Sequence, residues 1–278
     1  MPIDSRRIFG PEETLDPMTF VTPEEKKLKK ESEGNLLVDD LRNDRRKVDQ
    51  IRPLFLQSGT ITQAKGSAYI EINNTKVICA VYGPREAVRR EDFSMKGQLN
   101  CEFKFATFSC PQRRPHQADM MDKDYSVLLM DALEPAVCLD KYPKSVVDVF
   151  VTVLENDGSA LAAAITCAAV ALADAEIEMY DVVIGCCLRS IDNHLLLDPT
   201  YEEEYKPHVQ QARADNSMMT VAYMPSINQV SSIEMKGVAE IVNLQEGLKL
   251  VIRTCQRIYP VIQKCLLDAV KEKLKESS

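Results

Sequence analysis

The stretch NDGSALAAAITCAAVALADA, Asn156 to Ala175, constrains the fold of this chain more than any other. After Ser159 it is apolar on every side apart from Thr166, so the helix it forms has no face for water and must be packed closely all round through its alanines. Its start is also shaped like an anion site. A polar turn with a glycine leads into a first helical turn, whose unpaired backbone N–H groups can hold a phosphate. Yet the side chains there are Ala160, Leu161, Ala162, Ala163 and Ala164, with no arginine, lysine or second hydroxyl among them.

A helix buried on all sides needs a large core around it. A length of 278 residues with 45% apolar content supplies one, in one large domain or two modest ones. The formal net charge of -8 excludes wrapping of nucleic acid by the whole surface and confines any RNA contact to a local basic strip. The opening MPIDSRRIFGPEETLDP has no apolar run for a signal peptide, and no segment has the roughly 20 uninterrupted apolar residues of a membrane span. A soluble intracellular protein without membrane contact is expected. Nine cysteines, scattered singly apart from Cys186 and Cys187, show no CxxC pair with zinc-ligand spacing, which fits reduced, buried thiols. His116, His194 and His208 lie in separate polar loops and read as surface histidines. No metal and no cofactor is expected.

Residues 1–50 are dense in mixed charge and poor in aromatics, as in TPEEKKLKKESEGNLLVDDLRNDRRKVDQ, and read as an exposed N-terminal extension that is either a solvated tail or a docking arm. Residues 51–270 read as the folded domain, and 271–278 as a charged tail. From Ile51 the pattern is β, with Asn73 and Asn74 as a hairpin turn. In QLNCEFKFATFSC, Leu99, Cys101, Phe103 and Phe105 alternate with Asn100, Glu102 and Lys104, giving one covered face and one wet face. Val127, Leu128, Met130, Leu133, Val137 and Cys138 have helical spacing, with Pro135 as a kink or stop. The strand SVVDVFVTVLE precedes the buried helix. MYDVVIGCCLRS, LLLDP and MMTVAYMPSINQVSSIEM follow it as strands, and Val238 to about Glu276 reads as one or two helices broken by Pro260. Lys65-Gly66-Ser67 lacks the rest of a phosphate loop and sits in a strand pattern, so a bulge or close backbone contact is expected at Gly66. Runs of strands followed by helices, twice over, predict an α+β fold with mixed sheets and helices packed on one face.

Three separated blocks, QAKGSAYIEINNTKVICAVYGP, MKGQLNCEFKFATFS and LENDGSALAAAITCAAVALADAEIEMYD, resemble in order and spacing the RNase PH family of phosphate-dependent exoribonucleases, over roughly Arg52 to Lys264. DSRRIFGPEE, EMYDVVIGCCL and CQRIYPVIQK are similar to eukaryotic members that build the exosome ring. In active members, the resemblance implies, a threonine and an arginine in the turn before the buried helix hold the phosphate that attacks the RNA. Phosphorolysis needs that dianion in line with the terminal phosphodiester, and a bidentate guanidinium with backbone donors supplies both charge and orientation. Here Gly158 and Ser159 remain, but Ala160 and Leu161 stand at the threonine and arginine positions, and Ala164 at a hydroxyl position. The site reads as a cradle left empty.

Two carboxylates near the scissile phosphate are also implied. Asp198 falls at the first position and Met218 at the second, with Asp215 nearby; Asp198 also reads as a turn carboxylate beside Pro199. The helix that would present arginines to RNA shows Asp122, Asp124, Asp131 and Glu134. Basic residues lie elsewhere, at Arg85, Arg89, Arg90 and Lys96 and at Lys104, Arg113 and Arg114, either as solvated loop charges or as contacts to single-stranded RNA in a channel. The resemblance therefore implies a non-catalytic subunit of the RNA exosome core. Its partners would be other RNase PH-like subunits in a hetero-hexameric ring, S1-type cap subunits, a separate exoribonuclease and RNA passing through the channel, in nucleus, nucleolus and cytoplasm. The alternative is an active phosphate-dependent 3′-to-5′ exoribonuclease using Asp198 and Asp215.

Overall fold

The computed structural model describes residues 37–38, 41–87, 95–191, 194–205 and 216–276. The chain runs through β1 (Leu37–Val38), β2 (Leu41–Arg42), β3 (Leu54–Ser58), β4 (Gly66–Ile72), β5 (Thr75–Glu86), β6 (Gln98–Phe105), α1 (Met120–Leu133), β7 (Ser145–Glu155) and α2 (Ala160–Asp174). It continues through β8 (Ile184–Ile191), β9 (His194–Leu197), a short α3 (Tyr201–Tyr205), β10 (Asn216–Met224), β11 (Gln229–Val238) and a long α4 (Ile241–Glu276). A five-stranded sheet has the order β3-β4-β5-β7-β6, a four-stranded sheet the order β11-β10-β8-β9, and β1 pairs with β2. Among the described residues only β6 and β7 pair in parallel, so both main sheets are built largely from antiparallel neighbours, in a mixed α+β fold.

The alanine helix α2 is wedged between the two sheets, packing on β4 and β5 of one and on β8 and β10 of the other. Every residue from Ala160 to Leu172 is buried. Small side chains let the backbones approach closely, and a Cβ added to Gly66 would lie 2.2 Å from the Ala175 nitrogen and 2.4 Å from the Ala171 oxygen. The close backbone contact expected at Gly66 is therefore made against the end of α2. Thr166, the polar residue within the buried run Ala160–Leu172, is satisfied: its Oγ1 donates to the Ala162 carbonyl at 3.1 Å and accepts from the Gly185 N–H at 3.0 Å.

In the five-stranded sheet, Val77, Cys79, Val81, Val147, Val149, Val151 and Val153 point to the core, while Phe55, Asn100, Glu102 and Phe150 face outward. Asn73, with φ of 53°, makes the expected turn between β4 and β5. The four-stranded sheet departs from one-sided packing. Gly185 meets Ala162 of α2, whereas Leu188, three residues along β8 and on the opposite face, meets Gly247 of α4. A helix therefore lies on each side of it.

Three details differ from the sequence reading. The buried face of α1 is Asp122, Tyr125, Leu129, Ala132 and Leu133, and Val127 is 53% exposed. A capping box between Asp119 and Asp122 sets the helix start, and Tyr125 packs edge-on against Phe103 with centroids 5.2 Å apart; Val127, about 200° round from Tyr125, then faces out. Pro260 does not break α4. Its ring is exposed, and the seam of Val251, Cys255, Ile258, Tyr259, Ile262 and Leu266 runs past it uninterrupted. The charged stretch before the domain is not wholly a solvated tail either: Arg42 and Arg46 are buried against the body of the protein.

All nine cysteines are free thiols, and none is fully exposed. Burial pushes the Cys101 and Cys187 thiols up to about 12, so both are protonated and unreactive near neutral pH. Among the described residues, no helix is long and apolar enough to cross a membrane.

Candidate functional site

The turn that begins α2 is held from three directions. Gly158 has φ of 86° and Ser159 φ of 55°, and the Gly158 N–H donates to Asn156 Oδ1 at 3.1 Å. Thr75 Oγ1 donates to the Gly158 carbonyl at 2.9 Å and accepts from the Asp157 N–H at 3.1 Å. Arg52 donates from Nη1 to the Asp157 carbonyl at 2.6 Å and from Nη2 to the Gly158 carbonyl at 3.2 Å. On the third side the turn presses on the chain entering α3. Ser159 Oγ donates to the Pro199 carbonyl at 3.2 Å, and a Cβ on Gly158 would meet that same oxygen at 2.4 Å. The glycine is required by its positive φ and by this close approach.

The expected empty cradle is filled by the protein itself. The Ser159 N–H, at the cap of α2, donates to Glu204 Oε2 at 3.0 Å. Ser159, Ala160, Leu161 and Ala162 line a small cavity with Glu204, Met218, Thr220, Tyr125, Glu234 and Lys236. Met218 therefore stands beside the helix N-terminus. Lys236 Nζ lies 5.0 Å from the centroid of the Tyr125 ring and 3.8 Å from Glu234 Oε1. Arg189, buried on β8, donates from Nη1 to the Glu204 carbonyl and from Nη2 to Asn216 Oδ1 at 3.2 Å. Burial raises the Glu204 carboxyl above its usual range, against the Ser159 N–H and the charges of Arg189, Arg52 and Lys236, which pull it down.

Asp198 lies in a neighbouring cavity, which shares Ser159 and Ala162 with the first and is lined also by Arg52, Ile51, Leu54 and Ile72. Its carboxylate is consumed by arginines: Arg52 donates from its backbone N–H at 3.0 Å, from Nε at 2.8 Å and from Nη2 at 2.7 Å, and Arg46 Nη1 lies 3.5 Å away. Arg42 adds the next layer, paired with Glu203 and donating to the Leu197 and Asp198 carbonyls. Asp198 itself has φ of 50°, in the turn between β9 and α3. Sequence reasoning missed these three arginines as a cluster. They sit in or beside a run of mixed charge with no periodicity to separate a buried guanidinium from a solvated one. Asp215 lies outside the described residues.

Burial raises the Asp198 carboxyl, but the Arg52 hydrogen bonds, the Arg52 charge and Arg46 outweigh it and hold the group below its ordinary 3.8. A carboxyl with a lowered folded value stabilises above its unfolded value, and that stability is lost as pH falls through the folded value. The urea midpoint should therefore drop on acidification from pH 5 towards pH 2, and Asp198→Asn should flatten that part of the profile.

Residues 50–178 match the 3′ exoribonuclease family, domain 1, also termed RNase PH. Human "Exosome complex component MTR3" is 38% identical, over 98% of this chain and 98% of its own length. The chain belongs to the RNase PH family. Its fold is shared with the RNase PH-like chain of rice Rrp46, with a TM-score of 0.70 and 22% identity over 81% of this chain and 100% of that one. It is also shared with a chain of the Archaeoglobus fulgidus exosome with RNA bound to the active site, with a TM-score of 0.72 and 20% identity over 84% and 97%.

Among the described residues, the basic candidates of this RNase PH-family chain are dispersed. Arg89 and Arg90 lie outside the described residues. Arg85 is exposed at the end of β5 and pairs with Asp148. Lys96 lies 3.3 Å from Asp140, Lys104 is half-buried opposite Thr152 of β7, and Arg113 is exposed. Arg114 departs from the expected loop charge: its guanidinium sits 4.1 Å from the centroid of Phe105 and 3.6 Å from Asp122. That position staples the loop to α1. Asp124, Asp131 and Glu134, on or just after α1, are exposed acids.

Proposed function

We propose that this protein is a non-catalytic structural subunit of an RNA exosome core ring. In that role it joins other RNase PH-like subunits in a hetero-hexamer, supports S1-type cap subunits and walls the channel that leads RNA to a separate exoribonuclease. Identity to an exosome component over nearly the whole chain supports the ring role. The observation that carries the lack of catalysis is the arrangement at the start of α2. Ala160, Leu161 and Met218 surround the place where the resemblance puts phosphate and acid, and a carboxylate sits on the Ser159 N–H. A carboxylate facing an incoming dianion repels it, and the backbone dipole alone is worth about 1 kcal/mol or less to an exposed anion. Chemistry is delegated, so the loss carries no penalty. Arg89, Arg90 and Arg113 are the proposed channel contacts to RNA phosphates, and the sites of action are nucleus, nucleolus and cytoplasm, where rRNA is processed and RNA turned over.

The test has two parts. A tagged copy at its normal cellular level should be recovered with several other RNase PH-like chains, at the native mass of a hetero-oligomer. The purified chain should release no nucleoside diphosphate from single-stranded RNA with inorganic phosphate. A homo-oligomer or free monomer would overturn the ring role, and phosphate-dependent nucleoside diphosphate release would restore the enzyme.

A further inference from the structure

We infer that Glu204 is a built-in substitute anion, which holds the Ser159 N–H at the start of α2 and thereby excludes inorganic phosphate from this site. The inference rests on the non-catalytic reading and supplies its physical cause. An apolar lining alone would leave a weak anion position, because the N–H groups and dipole of α2 do not depend on side chains. Three observations show that the position is occupied from within. Glu204 Oε2 accepts from Ser159 at 3.0 Å. The carboxylate shares its cavity with the α2 N-terminus, and Arg189 grips the Glu204 backbone carbonyl, while Lys236 on the same cavity wall lies beside Glu234 and Tyr125. Glu204 is also locked in register. Ser159 Oγ bonds the Pro199 carbonyl, the Glu204 N–H donates to the Thr200 carbonyl at 2.8 Å, and Glu203 Oε2 accepts from the Thr200 N–H at 2.8 Å, which fixes the start of α3 against the turn.

The occupant is covalently part of the chain, so its effective concentration far exceeds that of free phosphate, and its carboxylate is an anion that repels phosphate. Phosphate must displace it and then sit beside it.

The experiment uses the full chain as wild type, Glu204→Ala and Glu204→Gln, titrated with inorganic phosphate at constant ionic strength by calorimetry, with the Ser159 amide followed by NMR. Wild type should show no saturable binding. Glu204→Ala removes both bulk and charge and should let phosphate shift the Ser159 amide resonance at concentrations that leave the wild-type resonance unmoved. Glu204→Gln keeps the bulk and an acceptor oxygen; it should stay closed to phosphate while the Ser159 amide proton moves upfield, as expected when a charged acceptor becomes neutral. A folded Glu204→Ala chain with unchanged near-UV circular dichroism and no phosphate binding would overturn the inference. If Glu204→Ala does not fold, the Ser159 resonance in Glu204→Gln decides: an unmoved resonance overturns it. Saturable phosphate binding by wild type would sink it too, and only release of nucleoside diphosphates would sink the non-catalytic reading with it.

Discussion

Arg52→Met should lower the unfolding free energy by about 3–5 kcal/mol, the cost of leaving a buried charge without its partner. Arg52 is almost completely buried, and its guanidinium ties Asp198 of the β9 end to the Asp157 and Gly158 carbonyls before α2. Methionine fills much of the volume but strands the Asp198 carboxylate, which keeps only the Arg52 backbone N–H at 3.0 Å and Arg46 at 3.5 Å. Arg52→Lys should fall between the two, since an ammonium keeps the charge but cannot bond both carboxylate oxygens and two carbonyls in one plane. Adding Asp198→Asn to Arg52→Met should recover part of the loss, because the stranded charge is then gone. Urea unfolding of the four chains measures this. A loss below 1 kcal/mol for Arg52→Met would mean that the ion pair does not anchor the turn.

Gly158→Ala carries the second large effect, about 3 kcal/mol from backbone strain and overpacking together. At φ of 86° an alanine is strained wherever space exists, and here there is none: the new methyl would lie 2.4 Å from the Pro199 oxygen, 2.6 Å from the Thr200 carbonyl carbon and 2.7 Å from the Tyr201 nitrogen. All three are backbone atoms, so relief requires the start of α3 to move away from the turn. That motion should pull Glu204 from the Ser159 N–H, so hydrogen exchange at Ser159 should accelerate together with the drop in thermal midpoint. Glycine here thus serves the packing of this chain, whatever it once served in binding. A midpoint unchanged within 1 °C would show that the turn and α3 are not coupled.

Much of the architecture was legible because its signals are local. Alternation marked β6, the paired asparagines marked the β4–β5 turn, and the alanine run marked a helix with no face for water. The three resembling blocks then pointed to the RNase PH fold, and residues 158–161 visibly hold no arginine and no threonine. These are statements about which side chains are absent, and absence is readable without coordinates.

What occupies the place of the missing groups was not readable. Glu204 lies 45 residues from Ser159, and Arg52 lies 146 residues from Asp198. In the sequence Glu204 is one of three consecutive glutamates, indistinguishable in type from Glu202, which is exposed. The arginines at 42, 46 and 52 resemble solvated charge until the β9 end is brought against them. The face of α1 and the passage of α4 through Pro260 followed from packing partners as well. Local periodicity and turn chemistry depend on neighbours along the chain, so the sequence alone determined most of the elements, the buried helix and the absence of arginine from its first turn. The pairing of buried charges depends on distance and desolvation, which exist only once the sheets close around α2, so tertiary structure alone decided that the Ser159 N–H would meet the Glu204 carboxylate and that Arg52 would meet Asp198.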